Sequence, residues 1–328
     1  MDAVPHATPA DGGWLETIGS PRVALALMVA FAGVGAAILG LGVSPGRPVA
    51  VVSAAMAVNL GAAMATRPAF RRYTALTAFH ACLLAIAGLA AVGRSSRLVG
   101  HVEVTEGEGF RRELGVWEAG PLHYDTLDDV DFRNEGFTIP YAPGLKRGPT
   151  RNRVSWDRDG ERLDAEIGDQ TPLTIDGYHF YTTANKGFAP VVEWVPDGGG
   201  PTGVGVVHLP SYPMNALDQR GAVAVEGLGE VRAELVMEEP LLSPDLPGEF
   251  RVPEAHAVRV EAAGVTASLR PGESAALPGG KLVYVGLRSW MGYYVHADWT
   301  LPWLLAAGIA AVVSLLAHYA RAEDRVGP

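Results

Sequence analysis

Apolar positions in this chain follow two different patterns. Near the start they run unbroken: Val23 to Val43, Pro48 to Thr66 and Tyr73 to Gly93 each hold about twenty residues without a charge. A fourth run, Leu301 to Tyr319, lies close to the end. A helix rises ~1.5 Å per residue, so each run can cross ~30 Å of hydrocarbon. The pattern predicts four transmembrane helices. A cleavable signal peptide competes for the first run. The preceding tail argues against it, because Asp2, Asp11 and Glu16 face only Arg22 there, and two more spans follow closely.

Between the third and fourth runs the pattern shortens and alternates. Arg153 to Arg158, Asp159-Gly160 and Glu161 to Ile167 read as a hairpin, since Asp-Gly supplies the positive φ values of a tight two-residue turn. Leu173 to Ile175, Asp176-Gly177 and Tyr178 to Thr182 repeat that grammar. Val191–Val195 and Val204–Leu209 flank a glycine-rich turn, and Ala222–Glu226, Val231–Val236, His256–Glu261 and Lys281–Val285 continue the series. Short strands punctuated by Gly and Pro predict a sandwich or open barrel. Phe110 to Gly144 has weak periodicity and is expected to wrap that sandwich irregularly. The expected class is a membrane protein of α+β type: three N-terminal spans, a β-rich, sandwich-like external domain, and one returning span. Its expected segments are a tail over 1–22, helices over 23–93, the external domain over 94–298, the last helix over 299–320, and a tail over 321–328.

Charge orients this arrangement. Arg67, Arg71 and Arg72 fill the loop between the second and third runs, Arg22 precedes the first, and Arg321 and Arg325 follow the fourth. Four spans put all six on one face, against Arg47, Arg94 and Arg97 on the other, so the six are expected to be cytoplasmic. The tails then lie in the cytoplasm and the β domain outside the inner (cytoplasmic) membrane. Residues 101–298 carry 31 acidic against 17 basic side chains, a net charge of about −14. A surface of that sign repels phosphate backbones and excludes nucleic acid as a natural partner. The one cysteine, Cys82, falls inside the third run, so the external domain has no disulfide framework.

Common catalytic signatures are missing: no phosphate loop, no nucleophile elbow, no Cys-x-x-Cys and no His-Glu-x-x-His. A hydrolase on a membrane stalk therefore lacks a visible nucleophile–base pair. Asp125, Asp128, Asp129 and Asp131 could hold a cation or be solvated surface, and they lack the spacing of a calcium loop. Of nine histidines, His6 lies in a tail; His101, His123, His179, His208 and His256 share no short spacing; His296 and His318 flank the last span. His80 differs, because it stands ~10 Å along the third apolar run, between Leu76, Thr77, Leu83 and Leu84. An ionisable group in such a place is costly and marks a functional position. Two readings fit it. The imidazole ligates a metal or haem iron, or it makes an interhelical hydrogen bond to Asn59 or a threonine. The segment Arg288 to Trp303, rich in Trp and Tyr, reads either as an interfacial belt or as a docking surface.

Four stretches carry a family likeness: Trp14-Leu-Glu-Thr-Ile-Gly-Ser-Pro-Arg22; Phe79-His80-Ala-Cys-Leu-Leu-Ala-Ile-Ala-Gly88 with Gly100-His-Val-Glu-Val-Thr-Glu-Gly-Glu108; Phe137-Thr-Ile-Pro-Tyr141 through Ser155 to Pro172-Leu173 and Gly177-Tyr-His-Phe-Tyr181; and Trp290 to Trp303. The chain resembles the ResB (CcsB) family of the System II cytochrome c biogenesis machinery. That resemblance implies a non-autonomous subunit of a haem-delivery and haem-attachment complex. It implies a multi-span partner of the ResC (CcsA) type, apocytochrome c as client, and contact with thiol-redox delivery proteins. The family's intramembrane ligand for b-type haem in transit falls on His80. The competing expectation is a membrane-anchored β-domain scaffold or sensor that binds another envelope protein without haem.

Overall fold

The computed structural model describes residues 13–42, 46–112 and 115–323. Most of the N-terminal tail with His6, the end of the first run at Val43, and the tail from 324 with Arg325 lie outside the described residues. The fold is α+β, and the chain divides into two units. A helical unit comprises Met1–Arg97, Gly120–Leu122 and Asp298–Pro328; a β unit comprises Leu98–Ala119 and His123–Ala297.

The helical unit contains α1 (Gly13–Ile18), α2 (Pro21–Leu41), α3 (Gly46–Thr66), α4 (Pro68–Arg72), α5 (Thr74–Ser96) and α6 (Leu301–Glu323). The four long helices match the four apolar runs to within a few residues, and all are long and apolar enough to cross a membrane. Their ends follow local chemistry. Ser20 accepts a hydrogen bond from the Val23 amide at 3.3 Å and Pro21 opens the first turn of α2, while Gly42 closes it at φ 65°. Asp298 accepts from the Thr300 amide at 2.9 Å and its hydroxyl at 2.6 Å, satisfying free donors at the start of α6. The opening motif has a structural purpose. Gly19 rests against the backbone of Ala62 and Ala63, so closely that a Cβ would collide. Beside it the buried Asn59 amide donates to the carbonyls of Ile18 and Ser20. The helices pack in sequence, α2 on α3, α3 on α5 and α5 on α6.

Among the described residues, the β unit holds sixteen strands in three sheets, where a simple sandwich has two. The central sheet runs β2 (Val116–Ala119), β1 (Leu98–Thr105), β16 (Gly280–Ala297), β8 (Tyr178–Pro196) and β7 (Leu173–Ile175), with β15 (Ser274–Leu277) and β9 (Gly203–Val206) on its far ends. A second sheet is built on β3 (Arg133–Ala142), β5 (Arg151–Arg158) and β6 (Glu161–Ile167), with β12 (Gly248–Phe250) and β4 (Lys146–Arg147) beside β3. A third runs β10 (Arg220–Val225), β11 (Gly229–Met237), β13 (His256–Ala262) and β14 (Val265–Leu269). The Asp159-Gly160 and Asp176-Gly177 turns have positive φ at all four residues, as a right-twisted two-residue hairpin requires.

β8 and β16 form the spine, two antiparallel strands of 19 and 18 residues that serve both flanking sheets. At one end Phe132 and Phe180 meet at 4.9 Å and Phe132 and Tyr293 at 5.5 Å; further along, Phe250 stacks between Phe137 and Phe188. At the other end Trp194, Leu282 and Tyr284 pack with Val231, Val258 and Val260. The stretch expected to wrap irregularly instead contains the ten-residue β3, whose Phe137, Ile139 and Tyr141 point alternately into the core. The interfacial reading of Arg288–Trp303 also fails for its first half. Trp290 and Tyr293 are 1% and 0% exposed inside the β unit, and only Trp299 and Trp303 present open indole surface. Nearness to an apolar run in sequence had masked their place in a strand.

Candidate functional site

His80 sits on the second turn of α5, half-buried, with its ring edge-on to Phe70 at 4.9 Å and Phe79 at 5.0 Å. Its Nδ1 lies 2.8 Å from the Leu76 carbonyl one turn back. A carbonyl can only accept, so Nδ1 carries the proton and Nε2 keeps its lone pair. The same arrangement orients metal-binding histidines and makes the opposite nitrogen a better donor. Among the described residues, neither Asn59 nor a threonine is hydrogen-bonded to the ring, and Thr77 shares its helix. Asn59 is committed to Ile18 and Ser20, and the Thr77 hydroxyl to the carbonyls of Phe70 and Tyr73, where it locks the α4–α5 corner.

Ring-nitrogen occupancy sorts the other histidines. His256 uses both nitrogens, on the Pro253 carbonyl at 2.8 Å and the Tyr284 hydroxyl at 2.9 Å, and is a buried clamp between sheets. His208 also uses both: Nδ1 meets Glu103 at 2.8 Å, Nε2 meets Thr105 at 2.9 Å, and the ring stacks on Trp290 at 5.1 Å. This carboxylate–imidazole–hydroxyl order looks like a catalytic triad, yet Thr105 is 2% exposed and no substrate reaches its oxygen. The group ties the segment after β9 onto β1. His123 bonds the Tyr178 hydroxyl at 3.1 Å.

Sequence spacing missed one grouping. Antiparallel register sets His101 opposite Tyr294, Tyr294 opposite Tyr181, and His296 opposite His179. All five leave the same, outward face of the central sheet. Their rings form a chain, His101 to Tyr294 at 5.2 Å, Tyr294 to Tyr181 at 6.4 Å, Tyr181 to His179 at 6.4 Å and Tyr294 to His296 at 6.3 Å. The signal was present as His-x-Tyr at 179–181 and Tyr-x-His at 294–296, two residues apart as a strand face demands.

The aspartate cluster is a salt-bridge site: Arg112 contacts Asp125 at 2.6 Å and Asp128 at 3.4 Å. Burial raises the Asp125 carboxyl, but the Arg112 contact and the Leu127 amide outweigh it and hold it low. Among the described residues, no group of three or more His, Cys, Asp or Glu is gathered to hold a metal ion. Among the described residues, Lys186 is the one strongly displaced base. Burial, with Arg147 nearby, pushes its ammonium down to about 8 against the pull of Asp169, and it donates to the Ala184 carbonyl at 3.5 Å. The Glu106-Gly107-Glu108 motif is a junction. Glu106 accepts from the Ser289 amide and hydroxyl, and the Gly107 amide donates to Asn134, joining β1 to β16 and β3.

No protein-family model matches the chain, and no curated protein matches it.

Proposed function

We propose that this chain is a ResB-like membrane subunit of a System II haem-delivery and cytochrome c haem-attachment complex, with His80 as an intramembrane axial ligand. The observation that supports this most is the anchored imidazole: Nδ1 spent on Leu76, Nε2 without a hydrogen bond among the described residues, in a helix apolar enough to cross a bilayer. The donor set fits an iron porphyrin at one axial position only. Cys82, two residues on, points about 200° around the helix and cannot share the site. The second ligand then comes from a ResC-type partner, and His80 alone does not retain haem. Phe70 and Phe79 flank the ring edge-on and would offer van der Waals contact to a flat macrocycle. When bound, haem supplies the iron whose vinyl-bearing ring is attached to apocytochrome c; this chain's share is to hold and orient it. In this reading the helices lie in the cytoplasmic membrane with the β unit outside, where its acidic surface meets the partner, apocytochrome c and thiol-redox delivery proteins.

The competing reading, a scaffold or sensor without haem, draws on the same bond, because Leu76 satisfies half of an idle imidazole. Purification with a ResC-type partner separates the two. Wild-type complex should carry a Soret band that His80→Ala loses, while the two proteins still copurify. An unchanged band in the variant overturns the ligand assignment.

A further inference from the structure

We propose that the corner between α3 and α5 binds the phosphate of an anionic phospholipid, gripped by the guanidinium groups of Arg71 and Arg72 with Arg67 beside them. The corner packs three arginines into six residues, Arg67-Pro-Ala-Phe-Arg71-Arg72. In the β unit Arg112, Arg147, Arg162 and Arg251 each find a carboxylate at 2.6–2.7 Å. The corner arginines have no such partner among the described residues. Arg67 donates to the Glu16 backbone carbonyl and Arg71 to the Ala65 carbonyl, both at 3.4 Å, and Arg72 lies over the Tyr73 ring, 5.6 Å from its centroid. The Arg67 Nε is buried without a hydrogen-bond partner, so its charge is poorly compensated. A guanidinium carries five N–H donors in a planar fork. One long bond to a carbonyl leaves most of that fork for a bidentate acceptor.

The corner is stiff before any ligand arrives. The Thr77 hydroxyl meets the carbonyls of Phe70 and Tyr73, the Thr66 hydroxyl donates to Ala62 at 2.8 Å, and the Tyr73 amide donates to Ala69 at 3.0 Å. Such bonds lower the cost of ordering the site on binding. Arg71 and Arg72 are exposed at the end of α4. Place selects the anion. The corner joins two helices long and apolar enough to cross a membrane, and the anion met at the end of such a helix is a headgroup phosphate. Trp14, 65% exposed on the α1 helix that packs against α3, offers the kind of indole that settles at headgroup level. This inference rests on the helices lying in a bilayer, and the three arginines take no part in the haem reading.

The test uses the full chain in detergent, with native mass spectrometry counting the lipid retained as phosphatidylglycerol or phosphatidylcholine is titrated in. Wild type should retain one phosphatidylglycerol, and the variant Arg71→Gln/Arg72→Gln should weaken that retention about tenfold or more. Arg47→Gln/Arg94→Gln removes the same charge at the opposite ends of α3 and α5 and should weaken it less than about twofold. Phosphatidylcholine, whose choline cancels the phosphate charge, should bind far more weakly. Arg71 also caps the Ala65 carbonyl, so circular dichroism checks folding. If the double variant misfolds, Arg72→Gln decides alone, because Arg72 makes no hydrogen bond among the described residues; it should cost about threefold or more. Equal losses in the two double variants, or none in a folded Arg72→Gln, overturn the proposal. Wild-type retention should survive an equal concentration of inorganic phosphate, and displacement by it overturns the lipid assignment. His80→Ala should keep the lipid whatever becomes of its Soret band, so either reading can fail alone.

Discussion

The two units of this molecule satisfy themselves in opposite ways. The β unit pairs most of its buried polar groups within its own core, the Gln219 side-chain oxygen excepted. Tyr293, fully buried, donates to Asn152 at 2.7 Å; Asn152 donates to Asn134 and to the Gly136 carbonyl; Asn134 donates to the Val104 carbonyl. Such a network is stable in a core only when each member is paired. The helical unit pairs its backbone inside each helix and leaves its side chains outward. Leu39 is 90% exposed, and nothing in the best apolar windows of α2 and α5 is buried. A helix satisfies its own amides anywhere, whereas apolar faces this open need a greasy surrounding. The β unit therefore draws its stability from its own core, whereas the helical unit leaves faces that are long and apolar enough to cross a membrane.

Truncation breaks this contrast most severely. Phe132→Ala, in the aromatic layer between β3 and the spine, should cost about 3–5 kcal/mol by leaving a cavity. Leu39→Ala on α2 should change stability by less than about 0.5 kcal/mol. Urea unfolding of the full chain in micelles, followed by tryptophan fluorescence, measures both. Equal losses would erase the distinction between the units.

Lys186 probes a costly group in the β core. It is 2% exposed, and its proton is released near pH 8 in the folded protein and near ~10.4 when unfolded. Between those values the unfolded state binds more protons, so stability should rise with pH, by roughly 3 kcal/mol at most, and stay flat below pH 8. Lys186→Met should be more stable than wild type at pH 7 and lose that rise. A parallel pH profile in both proteins would show that Lys186 is not the cause. Asn152→Ala comes next, at about 1–3 kcal/mol, because it strands the Tyr293 hydroxyl and removes the amide that donates to Asn134 and to the Gly136 carbonyl. Tyr293→Phe added to it should recover part of that loss, and no recovery would mean the two are uncoupled.

Much of this was legible in the sequence where one local rule governs. Charge-free runs located the long helices and Asp-Gly pairs located two hairpins; the role of His80 stays a proposal that rests on a lone imidazole in an apolar run. Long-range register was not legible. The spine strands were seen only in pieces because Lys186 and Arg288 break their alternation and the β8–β16 ladder shifts register near Met291. Trp290 and Tyr293 were misplaced at an interface for the same reason. The His179–His296 pairing depends on which strand lies beside which, and no short spacing encodes that.

The anchored ring of His80 is tested most directly by replacing it with a hole. A His80→Gly complex, purified with the ResC-type partner and supplied with haem, should show an altered or missing Soret band that returns to the wild-type form when free imidazole is added. A wild-type spectrum in His80→Gly before any imidazole is present would contradict the account.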